Sequence, residues 1–354
     1  MPHFDIIKES KPSNSFRVAS VRGKFDLQDE NIRERFIGSI DFDENWQVGL
    51  IVGKSGTGKT TIAKQLFPKS YITSFEYCSN TILDDMPKER SVEEISMAFN
   101  SVGFSSPPSW LKPYNILSGG EKMRCDLARA ILSDMGLFVF DEFTSVVDRQ
   151  VAQVGSFAIQ KAIRKTKNKF IAVSCHFDVE DWLLPDWVFD TDSMTFRACE
   201  GQKKNRPEIE FGIFETKEKN YYWGMFGKYH YLSHSHNNAA RVFIATVNKV
   251  VCGFISVLHF PHPNTNKIKR VHRLIIFPDY QGLGIGIKLL NEIGKIYKKN
   301  GFRFTITSSA PSIIFSLKKS EIWKCNHFGR NKSQRGIKED WSSSNRITVS
   351  FEMI

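Results

Sequence analysis

The sequence predicts an α/β chain of two domains, the first built on a mainly parallel sheet and the second on an α+β fold. Three observations carry this. The chain has 354 residues, and at about 100–200 residues per domain that length points to two cores. Two separate segments, 47–67 and 270–300, each read as strand, glycine-rich turn and helix. Between them, residues 200–207 (Glu-Gly-Gln-Lys-Lys-Asn-Arg-Pro) hold no large apolar side chain and supply linker chemistry. The expected division is therefore 1–200, a linker at 201–207, and 208–354.

Taken in order, residues 15–26 read as the antiparallel strands of a small β subdomain. Residues 47–52 (Gln-Val-Gly-Leu-Ile-Val) form a short apolar run that buries as a strand, followed at once by the glycine-rich 53–61 and a helical 62–67. A second apolar strand, 136–140, ends in Asp141 and Glu142, and a third, 170–174, ends in Cys175 and His176. Strands that alternate with helices and end in polar residues form a parallel sheet whose sites lie at the strands' carboxyl ends. In the second domain, residues 208–215 and 241–260 are strands, the latter a pair joined at Asn248 and Lys249. Residues 270–277 are a strand, 284–300 a helix, 302–307 a strand and 312–323 a helix. No internal repeat or low-complexity tract occurs.

Composition bounds the function classes. Apolar residues are 41% and charged residues 25% of the chain, the balance of ordinary folded protein rather than of a collagen-like or disordered one. No run approaches the ~18–20 apolar residues of a membrane helix, and residues 1–11 carry no signal-like apolar stretch. A soluble, cytoplasmic protein is expected. The six cysteines are scattered without a C-x-x-C pair, as reduced thiols are in a cytosolic chain. Residues 1–200 hold 24 Lys+Arg and 28 Asp+Glu, a net of −4; residues 201–354 hold 25 and 10, a net of +15, so the overall +11 lies in the last part. That asymmetry suggests an anionic partner for the C-terminal half, either a phosphorylated cofactor or a nucleic acid. A merely soluble basic surface is the alternative.

Residues 53–60 match G-x-x-x-x-G-K-[ST]. In this loop, backbone N–H groups around Gly53, Ser55, Gly56 and Gly58 and at Thr61 cradle phosphates, Lys59 reaches the β/γ oxygens, and Thr60 can hold Mg²⁺. Asp141 and Glu142 then divide the work, Asp141 fixing Mg²⁺ and Glu142 polarising the attacking water. Between these motifs lies Leu-Ser-Gly-Gly-Glu-Lys-Met-Arg at 117–124, where Ser118 and the amides of Gly119 and Gly120 open a helix whose N-terminus suits an anion.

This ordered set, over about residues 15–195, resembles the ABC-type ATPase superfamily, whose signature reads L-S-G-G-Q. Residues 145–148 look like its D-loop, and His176 looks like the switch histidine that senses the γ-phosphate. The resemblance implies ATP and Mg²⁺ as ligands and a P-loop ABC-type fold. It also implies an ATP-dependent head-to-tail homodimer in which the signature of one subunit caps ATP held by the other. Two departures argue against a transporter subunit: no glutamine lies between Gln65 and Gln150 to serve as a Q-loop residue, and only 58 residues separate Lys59 from Ser118.

The second glycine turn, Gln281-Gly-Leu-Gly-Ile-Gly286, again offers amides to phosphate but has no G-K-[ST] lysine, which suits a diphosphate better than a triphosphate. Gln281, Gly282, Gly284 and Gly286, with the preceding Phe-Pro-Asp-Tyr, resemble the acyl-CoA loop of GNAT-type N-acetyltransferases over about residues 208–354. That resemblance implies acetyl-CoA or another acyl-CoA as cofactor, a pantetheine arm paired with the strand ending near Ile276, and direct attack of an amine on the thioester. It places His272 where many relatives carry a glutamate base, a role histidine suits near neutral pH; a histidine that merely faces solvent is the alternative. The family's frequent tyrosine acid is absent, since no tyrosine follows Tyr297.

Seven of the nine histidines fall in this half, yet none has standard zinc spacing. Aromatic residues at 221–223 and 229–231 beside Lys228 suit stacking on bases. The transferase half is also loosely similar to Mom-type phage enzymes that modify adenine in DNA. The expected function is an ATP-binding and hydrolysing protein with an acyl-CoA-dependent N-acyltransferase acting on nucleic acid. The alternatives are a nucleic-acid-binding ATPase switch with a non-catalytic GNAT fold, or a transferase for a small amine or a protein lysine.

Overall fold

The computed structural model describes residues 3–10, 13–26, 32–41, 44–133, 135–145, 147–199, 210–230, 236–330 and 347–354. The chain forms two compact units, one of residues 1–75, 135–146 and 163–205, the other of 76–134, 147–162 and 206–354. The linker segment 201–207 lies outside the described residues.

In the first unit, β1 (His3–Ser10) and β2 (Ile32–Ser39) pair antiparallel, and α1 (Phe16–Phe25) connects them. Residues 15–26 are thus helical, not the strands the sequence suggests. Ser15 accepts a bond from Val18 N at the helix start, and α1 buries none of its residues, so local capping rather than a core face sets its form. The flanking strands escape a hydrophobic pattern because they are held partly by charge. Asp5 accepts two bonds from the Arg35 guanidinium, at 2.7 and 2.6 Å.

Next come β3 (Val48–Val52), α2 (Lys59–Leu66), β4 (Tyr71–Ile72), β5 (Leu137–Phe140), β6 (Lys169–Ser174), α7 (Val179–Leu183), β7 (Trp187–Asp190) and β8 (Thr195–Ala198). The sheet order is β4-β5-β6-β3-β7-β8, parallel except for β8. All five residues of β3 are buried, as a strand covered on both faces requires. Trp187, Ile51 and Ile62 share its core with Phe4 and Phe36 from the two-stranded sheet.

The second unit holds α3 (Val92–Ser101), α4 (Pro107–Trp110), α5 (Gly119–Leu132) and most of α6 (Arg149–Ile163). It continues through β9 (Phe211–Thr216), α8 (Lys219–Phe226), β10 (Arg241–Val247), β11 (Val250–His259), β12 (Ile268–Ile276), α9 (Ile285–Lys299), β13 (Arg303–Ser308), α10 (Pro311–Lys318), β14 (Trp323–Arg330) and β15 (Ile347–Met353). The seven strands lie in the order β14-β15-β13-β12-β11-β10-β9. Asn248 and Lys249 both take positive φ, 49° and 66°, the geometry of the tight turn that matches strand twist. Helix 312–323 of the sequence reading stops at Lys318. Trp323 instead opens β14, where its buried indole donates to Asn291 Oδ1 at 2.8 Å.

In the seven-stranded sheet, the one parallel pairing among the described residues, β12 with β13, covers only Ile268, Lys269 and Arg270 against Arg303, Phe304 and Thr305. Beyond Arg270 the two strands part. The edge of β12 leading to Ile276 therefore has no strand partner on that side among the described residues, although its His272 and Ile276 carbonyls accept side-chain bonds from Arg273 and Gln281; a strand edge of this kind can pair with an extended ligand.

Candidate functional site

In the first unit, β3 runs into the glycine loop. Gly56 and Gly58 have φ of 89° and 86°, the left-handed region that costs other residues about 1–2 kcal/mol. A Cβ at Gly56 would meet nothing within 4 Å, so the mouth of the loop is open; Ser55 is exposed beside it. Gly58 caps α2 without a side-chain bond, and the first helical bond is Ile62 N to Gly58 O. The amides of Lys59, Thr60 and Thr61 are consequently free of helical partners at a helix N-terminus, a ready anion site. Lys59 Nζ folds back on Lys54 O at 2.5 Å.

Thr60 Oγ1 donates to Asp141 Oδ2 at 2.8 Å, so the two residues expected to share a cation lie in contact. Tyr71 also donates to Asp141; burial, and then Asp141 itself, raise the Tyr71 pKa and keep it a donor. Glu142 is exposed, has φ 50° and donates its N–H to Asp141 Oδ1 at 2.8 Å. His176, half-buried at the end of β6, donates its N–H to Ser174 Oγ at 3.1 Å. Sequence reasoning missed the support on the far side. Asp192 Oδ1 accepts from Lys54 N at 2.8 Å, and the Thr57 and Thr191 hydroxyls are 2.6 Å apart. These residues follow β7, and no local motif marks them. The loop's glycines, Lys59, Thr60 and Asp141 fit a Mg-nucleotide: the amides and ammonium suit phosphates, and the hydroxyl and carboxylate suit a hard cation.

In the second unit, Ser118 and Gly119 are exposed at the start of α5. Ser118 and Glu121 form a reciprocal capping box, which fixes the helix start. Glu121, where the resemblance expects a glutamine, also accepts from Ser109 Oγ at 2.8 Å. Gly120 is buried: a Cβ there would lie 3.2 Å from Val151 and 3.6 Å from Asp279 Oδ1. Of residues 145–148, expected to form a D-loop, Asp148 accepts at one carboxylate oxygen from Gln150 N and Val151 N, at 2.9 and 3.0 Å, starting α6; Val146 lies outside the described residues.

The second glycine turn sits at the end of the open β12 edge. Gln281 spans it, donating Nε2 to Ile276 O at 3.0 Å and accepting at Oε1 from Ser105 N at 2.9 Å. Gly282 and Gly284 have φ of 89° and 86°. Gly284 caps α9 with no side-chain bond, and a Cβ there would meet open space. The first helical bond runs from Lys288 N to Gly284 O, which leaves the amides of Ile285, Gly286 and Ile287 for an anion. An unpartnered strand edge leading into an uncapped helix N-terminus fits an acyl-CoA, pantetheine along β12 and diphosphate at 284–287.

His272 occupies a β-bulge. Ser256 pairs with Arg273 and Val257 with Val271, so His272 is the extra residue with no partner across the ladder, a geometry that re-aims a side chain. Its ring centroid is 6.0 Å from that of His236, which in turn lies 5.2 Å from Trp223 and 5.6 Å from Phe254. Burial, then the charge of Arg273, then His236, push the His272 pKa down to about 4. The imidazole is therefore neutral at pH 7, though a weaker base than the sequence suggests. Sequence marks His236 only as the neighbour of His234 in a weak metal reading and not as a companion of His272; its pKa is also lowered, mainly by burial. His234, Lys332 and Arg335 lie outside the described residues. Among the described residues no group of three or more His, Cys, Asp or Glu is placed to hold a metal, and no helix is long and apolar enough to cross a membrane.

Residues 238–315 match the family model of the acetyltransferase (GNAT) domain. No curated protein matches the chain. Among solved structures, the IAA acetyltransferase of Bacillus cereus is 17% identical over 40% of this chain and 98% of its own, with a TM-score of 0.31. The ribosomal-protein-S18-alanine N-acetyltransferase of Escherichia coli is 14% identical over 40% and 92%, with a TM-score of 0.31. A dimeric ATP-binding cassette in a post-hydrolysis state with ADP and Pi is 13% identical over 53% and 92%, with a TM-score of 0.39. The chain is mixed α/β, its N-terminal part similar to ATP-binding cassette structures and its C-terminal part to GNAT folds.

Proposed function

We propose that the protein is an ATP-binding, ATP-hydrolysing N-acyltransferase that uses acetyl-CoA or another acyl-CoA and acts on nucleic acid. The observation that carries the transferase reading is the β12 edge: it is open beyond Arg270, runs into the uncapped amides at 285–287, and bears the bulged His272. When bound, the acyl-CoA supplies an activated thioester. The chain's part is to align it along β12, hold its diphosphate, and accept at the neutral His272 ring a proton from the attacking amine.

A base with a pKa near 4 is poorly matched to a lysine ammonium, whose ordinary pKa is about 10.4. It suits an amine that arrives unprotonated, such as the exocyclic amine of a nucleobase. A second feature supports the polymer. Phe315 on α10 and Phe328 on β14 are 54% and 63% exposed, and each lies beneath an ammonium, Lys319 at 4.1 Å and Lys318 at 5.5 Å. Exposed rings interleaved with lysines are the elements of a single-strand stacking surface. Adenine modification of the Mom type is one form this reading takes. Exposed Ser118 and Gly119 at a helix N-terminus support a homodimer in which each signature caps the partner's ATP.

The test is mass spectrometry of total DNA, tRNA and protein from cells expressing the wild type or His272→Ala. An acylated nucleobase present only with the wild type is the expected result. Acylation confined to protein or small amines refutes the acceptor assignment, and none at all with active ATPase favours the switch reading.

A further inference from the structure

Helices α3, α4, α5 and most of α6 belong to the same compact unit as the transferase sheet, and residues on or just after three of them contact the turn at 278–284. Arg124, six residues into the signature helix α5, is 1% exposed. Its Nη2 donates to the backbone carbonyl of Asp279 at 3.1 Å, and its Nη1 lies 3.5 Å from the Asp279 carboxylate. Gln150, at the start of α6, accepts from the Tyr280 hydroxyl at 2.8 Å. Gly103, after α3, takes φ 83°, and a Cβ there would come within 2.5 Å of Gln281 O. Gly282 likewise has room only for a hydrogen against Gly103 Cα, at 2.9 Å. Nothing of this kind crowds Gly284, whose side toward a ligand is open.

From this geometry we infer that Arg124 and Gln150, on helices carrying the ATPase signature and following its D-loop, are positioning residues for the acyl-CoA loop. They fix Asp279 and Tyr280, and through the backbone fix the angle at which the 284–287 amides meet a diphosphate. The inference rests on the transferase reading of that turn. A helix N-terminus binds an anion only when its amides are aimed, and among the described residues the turn's own side-chain tie to β12 is Gln281 to Ile276 O. A buried guanidinium that grips a backbone carbonyl is a stiff support, because Arg cannot shed its charge and must keep its partners.

The experiment uses the full chain with Tyr280→Phe, which deletes one hydroxyl, and Arg124→Met. Acetyl-CoA affinity is read by calorimetry, ATP affinity by a fluorescent nucleotide, KM and kcat by thiol release, and backbone exposure by amide exchange of 278–286. Expected are about three- to ten-fold weaker acetyl-CoA binding in Tyr280→Phe and about ten-fold or more in Arg124→Met. KM for acetyl-CoA rises with kcat kept, ATP affinity stays within about two-fold, and exchange at 278–286 is faster. Acetyl-CoA affinity equal to wild type in both folded variants overturns the inference alone. Wild-type protein that does not bind acetyl-CoA overturns the transferase reading, and the inference with it.

Discussion

If His272 is the proton acceptor, the rate of acyl transfer should be nearly flat from pH 7 to pH 5. A histidine at the ordinary pKa of about 6.5 is roughly three-quarters neutral at pH 7 and about 3% neutral at pH 5, a loss of about 25-fold. With a pKa of about 4 the neutral fraction falls only from essentially one to about 0.9. The acid limb of kcat/KM therefore lies near 4. The perturbation is Arg273→Met with His236→Gln, which removes the neighbouring charge and the second imidazole. Burial, the largest cause, remains, so the limb should move up by roughly one unit, not to 6.5. Stability carries the same sign. His272 titrates lower in the folded than in the unfolded chain, so protons bind the unfolded chain first, and stability falls as pH drops below about 6.5 and on through about 4. The full shift would correspond to about 3 kcal/mol at 1.36 kcal/mol per unit, and solvent screening of this half-buried ring brings the effect well below that. NMR titration of the His272 ring in the unliganded protein gives the pKa without activity. A ring pKa of 6 or above, or a wild-type limb at 6–7, would refute the reasoning.

Lys59→Ala should abolish ATP binding, because the phosphate charge loses its fixed partner, whereas Glu142→Gln should keep binding and stall hydrolysis; light scattering of the latter at saturating Mg-ATP should show a dimer, and a monomer refutes the sandwich. Gly284→Glu places a carboxylate where the structure leaves open space beside the α9 amides, and calorimetry should find acetyl-CoA binding lost; unchanged affinity sinks the loop assignment. Polynucleotide affinity should fall with salt at a log–log slope of roughly −3 to −5, for about four to six phosphate contacts, and reversing Lys318, Lys319 and Lys324 to glutamate should flatten it. Weak, salt-independent binding by the wild type removes the nucleic acid from the proposal.

The sequence was most legible where one short segment makes its own structure. At 47–67 and 270–300 a buried strand, left-handed glycines and a helix start are all local requirements, so Gly58 and Gly284 can be read as helix caps from the chain alone. Residues 15–26 read as strands although they form a helix, because α1 buries no face and so carries no apolar stripe of helical period to mark it. The helix expected to reach Trp323 ends at Lys318 because Trp323 takes its place in the sheet through long-range partners, pairing with Met353 and donating to Asn291, 32 residues earlier. His272 was visible as a residue type in the right strand, but its bulge is a register relation to Ser256 and Val257, and its low pKa depends on Arg273, His236 and burial, none of which spacing encodes. Asp192 and Thr191 steady the phosphate loop from 138 and 134 residues away.

Arg124 shows how a stability measurement and a binding measurement can be made to disagree. Burying a guanidinium costs several kcal/mol after relaxation, and the Coulombic return from one partner rarely exceeds that cost. Here the return is small. Burial lowers the Arg124 pKa in spite of Asp279, the Asp279 side chain is 48% exposed and already solvated, and Arg124 Nε has no partner among the described residues. Arg124→Met leaves no buried charge behind, because Asp279 can turn to water, and it replaces a poorly satisfied cation with an apolar chain of similar length. Thermal stability of that variant should therefore be unchanged or higher, within about ±1 kcal/mol of wild type or above it, while acetyl-CoA binding weakens. A residue kept only for packing predicts the two to fall together. A melting temperature that drops by more than about 5 °C alongside the lost affinity would return Arg124 to a purely structural role.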